Sequence, residues 1–170
     1  MLDFFKEGTN VKKKYICIIV VILGLLLIDQ ITKFIISRTN YTINIIEGVL
    51  QFTFAKNTGG AFSLAQNNLW GIIITNSIVL GIVIRFMIIQ FDKMNRTTKL
   101  CGSFILAGGI SNLLDRIIRG YVVDFIDITP IFKFPIFNIA DIYIVVGWIV
   151  FVILTIKYTI SKNNFKTNEK

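Results

Sequence analysis

Four apolar runs, each close to the length that crosses a bilayer, divide this 170-residue chain and leave only short polar segments between them. About 20 helical residues cover the ~30 Å of membrane hydrocarbon. Backbone at that depth must satisfy its own hydrogen bonds, so the runs read as helices, at about 15–36, 70–91, 100–118 and 138–158. At 54% hydrophobic and 16% charged, the chain is too apolar for an ordinary soluble domain. The simplest organisation is a single integral membrane domain over residues 1–170. No small-residue cleavage site follows the first run, so that helix is expected to be retained after the polar leader Met1–Lys14. A polar tail, Ser161–Lys170, follows the last run.

The segment from Ser37 to Leu69 breaks the helical pattern. Ile43, Ile45, Val49, Phe52 and Phe54 alternate with polar residues, and Glu47-Gly48 and Gly59-Gly60 are turn signals. A small β element is expected over about 41–62. A sheet edge in hydrocarbon would leave unpaired backbone groups, so this element belongs at the membrane surface. Residues 120–137, with Pro130 and Pro135, read as a polar-aromatic loop. The fold class is thus a membrane all-α protein with a small extramembrane β element.

Four spans place both termini on one side, and the basic residues choose which. Eleven Lys/Arg lie in the leader, the Asp92–Lys99 turn and the chain end from Lys157; five lie in the two opposite loops. The positive-inside rule puts both termini in the cytoplasm and the β element outside it. The same distribution argues against nucleic acid, because the net charge of +8 lies in flanks of apolar runs and forms no stripe. Cys17 and Cys101 have no paired spacing. Histidine is absent, which excludes Ser-His and Cys-His nucleophile systems and removes the commonest nitrogen ligand for zinc; no metal and no cofactor are implied.

The stretch from Gly108 to Asp141 carries the chemistry. It holds Asp115, Asp124, Asp127 and Asp141, with Asn112, Arg116, Arg119 and Asn138 interleaved. An ionisable group in a span costs roughly 2.5–3.5 kcal/mol on insertion scales, so a cluster implies a site. Asn112, Asp115, Arg116 and Arg119 share a helix face, and Asp115 is read as structural, paired to Arg119 or holding the following loop. Arg116 can bind a carbonyl or a lipid headgroup. Asp124, among Val122, Val123 and Phe125, has apolar surroundings that favour its protonated form. Asp127 reads as its more exposed neighbour, an ordinary turn residue. Asn138 and Asp141 stand at N-cap and N3 of the last span, a capping box whose helix dipole favours an ionised Asp141. Asp124 and Asp141 together could share one proton and hydrolyse a peptide bond at the membrane surface. On the first span, Asp29 and Lys33 are spaced i,i+4. Two readings stay open: an ion pair with Lys33 snorkelling to the interface, or an Asp29 facing a polar site shared with other helices.

Five blocks stand in order along the chain: DQITK at Asp29–Lys33, NTGGAF at Asn57–Phe62, GGISNLLDRI at Gly108–Ile117, GYVVDFID at Gly120–Asp127 and FPIFNIAD at Phe134–Asp141. In that order, across four apolar spans, the chain resembles the lipoprotein signal peptidases (signal peptidase II). The resemblance implies an aspartyl endopeptidase of the bacterial plasma membrane, cleaving diacylglyceryl-modified prolipoproteins just before the lipidated cysteine. It implies Asp124 and Asp141 as the catalytic pair, with Asp29, Asn57, Asn112, Arg116 and Asn138 supporting or binding substrate. It also implies contact with membrane lipid and sensitivity to globomycin-type inhibitors; a monomer is expected. Three positions depart from the family pattern: Gly60 and Ser111, where alanine and glycine are frequent, and Ile142, where a small residue is usual. The competing reading is a small proton-coupled transporter or lipid-binding protein using the same aspartates as a relay, against which no internal repeat is evident. A structural scaffold is the third.

Overall fold

A computed structural model describes residues 2–39, 41–59 and 68–168, with side-chain surroundings for 15–39, 41–59 and 68–162. Four helices carry the chain: α1 (Leu2–Ile36), α2 (Leu69–Gln90), α3 (Arg96–Arg119) and α4 (Ile139–Asn168). Each contains a stretch long and apolar enough to cross a membrane: Tyr15–Ile36, Leu69–Lys93, Arg96–Arg119 and Ile139–Lys162. Helices α1 and α4 run on into the segments read as polar leader and polar tail. Once a span has nucleated, each further residue adds a hydrogen bond, so polar flanks extend it readily.

Local signals set the helix ends. Asn68 Oδ1 accepts Gly71 N–H at 3.0 Å and caps α2; Asn95 Oδ1 accepts Thr98 N–H at 2.8 Å and caps α3. The Asp92–Lys99 turn is shorter than the sequence reading makes it, because a 3-10 turn (Phe91–Lys93) and the early start of α3 take up most of it. Gly120 ends α3 with φ +79°, and its N–H bonds Arg116 O at 3.1 Å. That left-handed geometry suits glycine.

The extramembrane element is a three-stranded antiparallel sheet in the order β1 (Ile43–Ile46), β2 (Leu50–Asn57), β3 (Val122–Asp127). Strands β1 and β2 form a hairpin whose turn contains Gly48 at φ +67°. The third strand corrects the sequence reading, which makes residues 120–137 a loop. VVDFID is buried except at Ile126, which is half-buried, so it lacks the alternation of a one-sided strand. The β signal at 60–62, including Gly60, lies outside the described residues.

Two features bring remote parts together. First, the loop after β3 returns on itself: Phe125 N–H and Ile126 N–H both reach Phe137 O, at 3.0 and 2.7 Å, and Phe137 N–H reaches Ile126 O at 3.1 Å. This bridge sets Asn138 and the start of α4 beside Asp124. Second, α3 is the central helix, buried along Cys101, Gly102, Ser103, Ile105, Leu106, Ala107, Gly108, Ser111, Asn112, Asp115 and Arg116. Gly108 lets α4 approach closely, and Gly102 and Gly109 face Met87 and Leu80 of α2. A Cβ on Gly108 would drive into the Ala140 carbonyl oxygen. The exposed Ile, Leu and Val side chains of α1, α2 and α4 face outward, where a bilayer meets them.

These contacts give the first expected outcome. Gly108→Ala forces α3 and α4 apart and lowers stability by about 1–3 kcal/mol, the usual cost of overpacking. Gly81→Ala, on open α2 surface with nothing within 4 Å, changes it little. Thermal unfolding of the two variants in the same detergent is the check.

Candidate active site

The site grows from a buried ammonium. Lys33 is fully buried, and its Nζ lies 2.8 Å from Asp29 Oδ2, 3.0 Å from Asp115 Oδ2 and 2.9 Å from Asn112 Oδ1. The i,i+4 pair is therefore present, but Lys33 does not snorkel. It is drawn inward by the Asp115 carboxylate and the Asn112 amide of α3, and Asp29 faces a polar site shared with α3 and α4. An i,i+4 spacing alone could not show this, since it is the same whichever way the helix faces.

Asp115 ties α1, α3 and β3 together. Its Oδ1 takes Arg119 Nη1 at 2.8 Å and Gln30 Nε2 at 3.1 Å. Its Oδ2 takes the Val123 backbone N–H at 3.2 Å, immediately before Asp124. Both structural roles read from the sequence, holding an arginine and holding the following loop, are present. Asp29 does the same for α4: its Oδ1 accepts Ala140 N–H at 2.9 Å, immediately before Asp141. Two buried carboxylates thus each anchor the residue ahead of another carboxylate.

Three asparagines hold Asp124 and Asp141 directly. Asn138 Nδ2 donates to Asp124 Oδ1 at 2.6 Å, while its backbone N–H reaches Asp141 Oδ2 at 3.1 Å. Asn138 Oδ1 accepts Asp141 N–H at 2.9 Å, which completes the capping box. Asn112 Nδ2 donates to Asp141 Oδ1 at 2.8 Å, and its Oδ1 takes Lys33 and Asn138 Nδ2, the latter at 3.2 Å. Asn57, at the end of β2, donates to Asp124 Oδ2 at 2.8 Å and accepts Gly59 N–H at 3.1 Å. Each asparagine oxygen faces a backbone N–H or an ammonium, so the orientation of every amide is dictated. The two aspartates, remote in the chain, contact one common residue.

Their surroundings differ. Burial pushes the Asp124 carboxyl up to about 6, with the Asp141 charge adding to the rise; the Asn57, Asn138 and Lys33 interactions oppose it. Asp141 instead sits in the first turn of α4, where free N–H groups and the helix dipole favour negative charge. Asp127 corrects the sequence reading: it is buried, not exposed. Gln51 Nε2 reaches its Oδ2 at 2.7 Å, and Thr129 N–H reaches its Oδ1 at 2.8 Å. Burial alone would raise its pKa, but these bonds outweigh burial and lower it. Arg116 is buried, with Nη1 on Asn112 O at 3.2 Å, and lies within electrostatic reach of Asp141, Asp124 and Asp115. Its Nε is a buried donor with no hydrogen-bond partner among the described residues.

Gln30, Lys33, Gln51 and Ser111 are the members of this network that sequence reasoning does not place in the site. Only Lys33 carried a signal, a charge in a span. Among the described residues, no cluster of His, Cys, Asp and Glu could hold a metal. An apolar cavity of about 220 Å³ lies between α2, α3 and α4, lined by Phe86, Met87, Gly102, Ile105 and Trp148 among others. It includes none of the polar cluster.

Residues 21–157 match the family model described as signal peptidase (SPase) II. The chain belongs to the signal peptidase II family. Proteins named lipoprotein signal peptidase are similar over most of their length. That of Caldicellulosiruptor bescii is 37% identical, covering 81% of this chain and 89% of the relative. That of Brevibacillus brevis is 41% identical over 78% and 88%, and that of Staphylococcus haemolyticus 36% over 89% and 98%. Two solved structures, described as a bacterial membrane enzyme studied by the in meso method, superpose with TM-scores of 0.77 and 0.72. They are 32% and 31% identical, covering 84% and 82% of this chain and 89% and 92% of theirs. The protein is thus a multi-pass membrane peptidase that removes signal peptides, which sets the transporter and scaffold readings aside.

Two outcomes follow for the signal peptidase II site. Replacing Lys33 by Met leaves the buried Asp29 without its cation and Asp115 with Arg119 alone, and costs about 3–5 kcal/mol of stability, read by thermal unfolding. Asn57→Ala removes a bond that holds Asp124 down, so the carboxyl titration seen by infrared spectroscopy moves from near 6 in the wild type to higher pH.

Proposed function

We propose that this signal peptidase is an aspartic endopeptidase in which Asp124 and Asp141 share one proton. The observation that carries the reading is Asn138, which donates to both carboxylates at once. The charge balance supports it. Asp29, Asp115, Asp124 and Asp141 face three cations, Lys33, Arg116 and Arg119. A buried cluster with one unmatched negative charge favours taking up a proton, and we assign that proton to Asp124, on the buried strand, whose carboxyl is pushed up to about 6.

The chemistry follows from these positions. The ionised Asp141 takes a proton from water as the water oxygen adds to the scissile carbonyl carbon. Asp124 gives its proton to the carbonyl oxygen. Collapse of the tetrahedral diol breaks the C–N bond, a proton passes to the leaving amine, and the carboxyls return to one shared proton. Acid–base help of this kind supplies about 10²–10⁴-fold. Positioning in a site of low dielectric supplies further stabilisation.

The substrate is a prolipoprotein, in keeping with the names of the relatives, cut before a cysteine bearing diacylglycerol. The acyl chains stay in hydrocarbon beside the outward apolar faces, and the sheet around Asn57 and the loop after β3 cover the scissile bond. The basic flanks support cytoplasmic termini with the site at the opposite face, and the family resemblance supports a bacterial plasma membrane. One chain supplies all the site residues, consistent with a monomer, and a globomycin-type inhibitor would lie between the two carboxyls.

Asp124→Asn and Asp141→Asn each abolish cleavage of a lipidated precursor by protein that remains inserted. Asp127→Asn keeps most activity, because its bonds serve the turn. Near-normal processing by either of the first two defeats the dyad. For the wild type, kcat/KM falls with rising pH with a midpoint near 6, where the free enzyme loses the shared proton. The same group makes the fold more stable below its ordinary value of 3.8, a contribution lost as pH rises towards 6, because the folded state binds the proton more tightly.

A further inference from the structure

Ser111 lies on α3 one turn after Gly108 and is fully buried. Gln30 Nε2 lies 2.8 Å from its Oγ, and also 3.2 Å from Ser111 O and 3.1 Å from Asp115 Oδ1. The last two can only accept, so this corner of Gln30 is its NH₂, and the Ser111 oxygen receives there. The Ser111 proton is left for Asp29 Oδ2, 2.6 Å away. An O–H···O⁻ bond of that length is charge-assisted. The other Asp29 oxygen holds Ala140 N–H, next to Asp141 and at the place where Gly108 brings α3 against the Ala140 carbonyl. Donation therefore runs from Gln30 through Ser111 onto one Asp29 oxygen, while Ala140 N–H of the first turn of α4 donates to the other, so both converge on the Asp29 carboxylate.

We propose that Ser111 is a positioning residue for Asp141: its hydroxyl orients the Asp29 carboxylate that anchors Ala140, and so sets where the first turn of α4 presents Asp141. Lys33 also reaches Asp29 Oδ2, but a point charge on a flexible stem neutralises that oxygen without fixing its direction. The hydroxyl supplies the direction. This inference rests on the reading of Asp141 as catalytic.

The test is the relation between glycine and alanine at this position. Alanine keeps most of the side-chain volume, removes the donor and shuts out water. Glycine frees roughly 30 Å³, about the share of one water molecule, among polar partners able to hold it. Such a water can accept from Gln30 and donate to Asp29. Helix propensity runs the other way, since glycine weakens a helix relative to alanine.

Full-length Ser111→Ala and Ser111→Gly are assayed in detergent with a diacylglyceryl-modified peptide, alongside thermal unfolding. With Ser111→Ala, kcat falls about tenfold and KM stays within about twofold, as expected for a lost bond to a charged group. With Ser111→Gly, kcat falls less, about threefold, although this variant melts lower. Combined with Asp29→Asn, Ser111→Ala adds little further loss, because both act through one carboxylate. Wild-type kcat in Ser111→Ala, losses that follow melting temperature, or losses that multiply with Asp29→Asn overturn the proposal. If those appear while Asp141→Asn is dead, only the positioning role falls. Cleavage by Asp141→Asn removes the dyad and the positioning role together.

Discussion

The site depends on a lysine ammonium sealed inside the helix bundle. An isolated charge there would be prohibitively costly, and Lys33 is tolerated because Asp29, Asp115 and Asn112 surround it. The arrangement constrains more than the lysine. It fixes α1 against α3 along a polar seam, and through the same two carboxylates it reaches Ala140, on the other Asp29 oxygen, and Val123, on the Asp115 oxygen that also meets Lys33. The residues after those two are Asp141 and Asp124. The burial of one cation is thus converted, through hydrogen bonds of definite direction, into the placement of the groups proposed to do the chemistry.

The environment of each aspartate then follows from the element that carries it. Asp124 stands on a buried strand beside Phe125 and Val123, where little but two asparagine amides meets its charge, so it tends to hold a proton. Asp141 stands in the first turn of a helix, where backbone N–H groups and the macrodipole favour the anion. Asp127, the buried last residue of β3, is satisfied by Gln51 and by the Thr129 N–H of the turn that follows. Three carboxylates of the same type, within eighteen residues, acquire different tendencies from a strand, a helix end and a turn.

Parts of this are legible in the sequence. The capping box could be read because Asn138 and Asp141 interact over three residues, and the Asp115–Arg119 pair because one helical turn brings them together. The membrane helices were legible because hydrocarbon thickness imposes their length. The β1–β2 hairpin showed in the alternation around Glu47-Gly48. Strand β3 did not show, since nearly all of it is buried and its pattern is that of any short apolar run. Exposure was misjudged at Asp127 and Lys33 for one reason: a charged residue is kept in the interior by partners up to 82 positions away, and no local pattern reports them.

The sequence by itself determined that the chain crosses a membrane four times, that a polar cluster is concentrated around the third and fourth spans, and, through its ordered blocks, the family to which it belongs. Those properties depend on residue type and on spacings within a turn or a span. Tertiary structure alone decided that Lys33 points inward, that Asn138 joins Asp124 to Asp141, and that Gln30 and Ser111 stand behind Asp29. Hydrogen bonds have direction and a reach of about 3 Å, so who meets whom is settled only when helices, strand and returning loop are packed against one another.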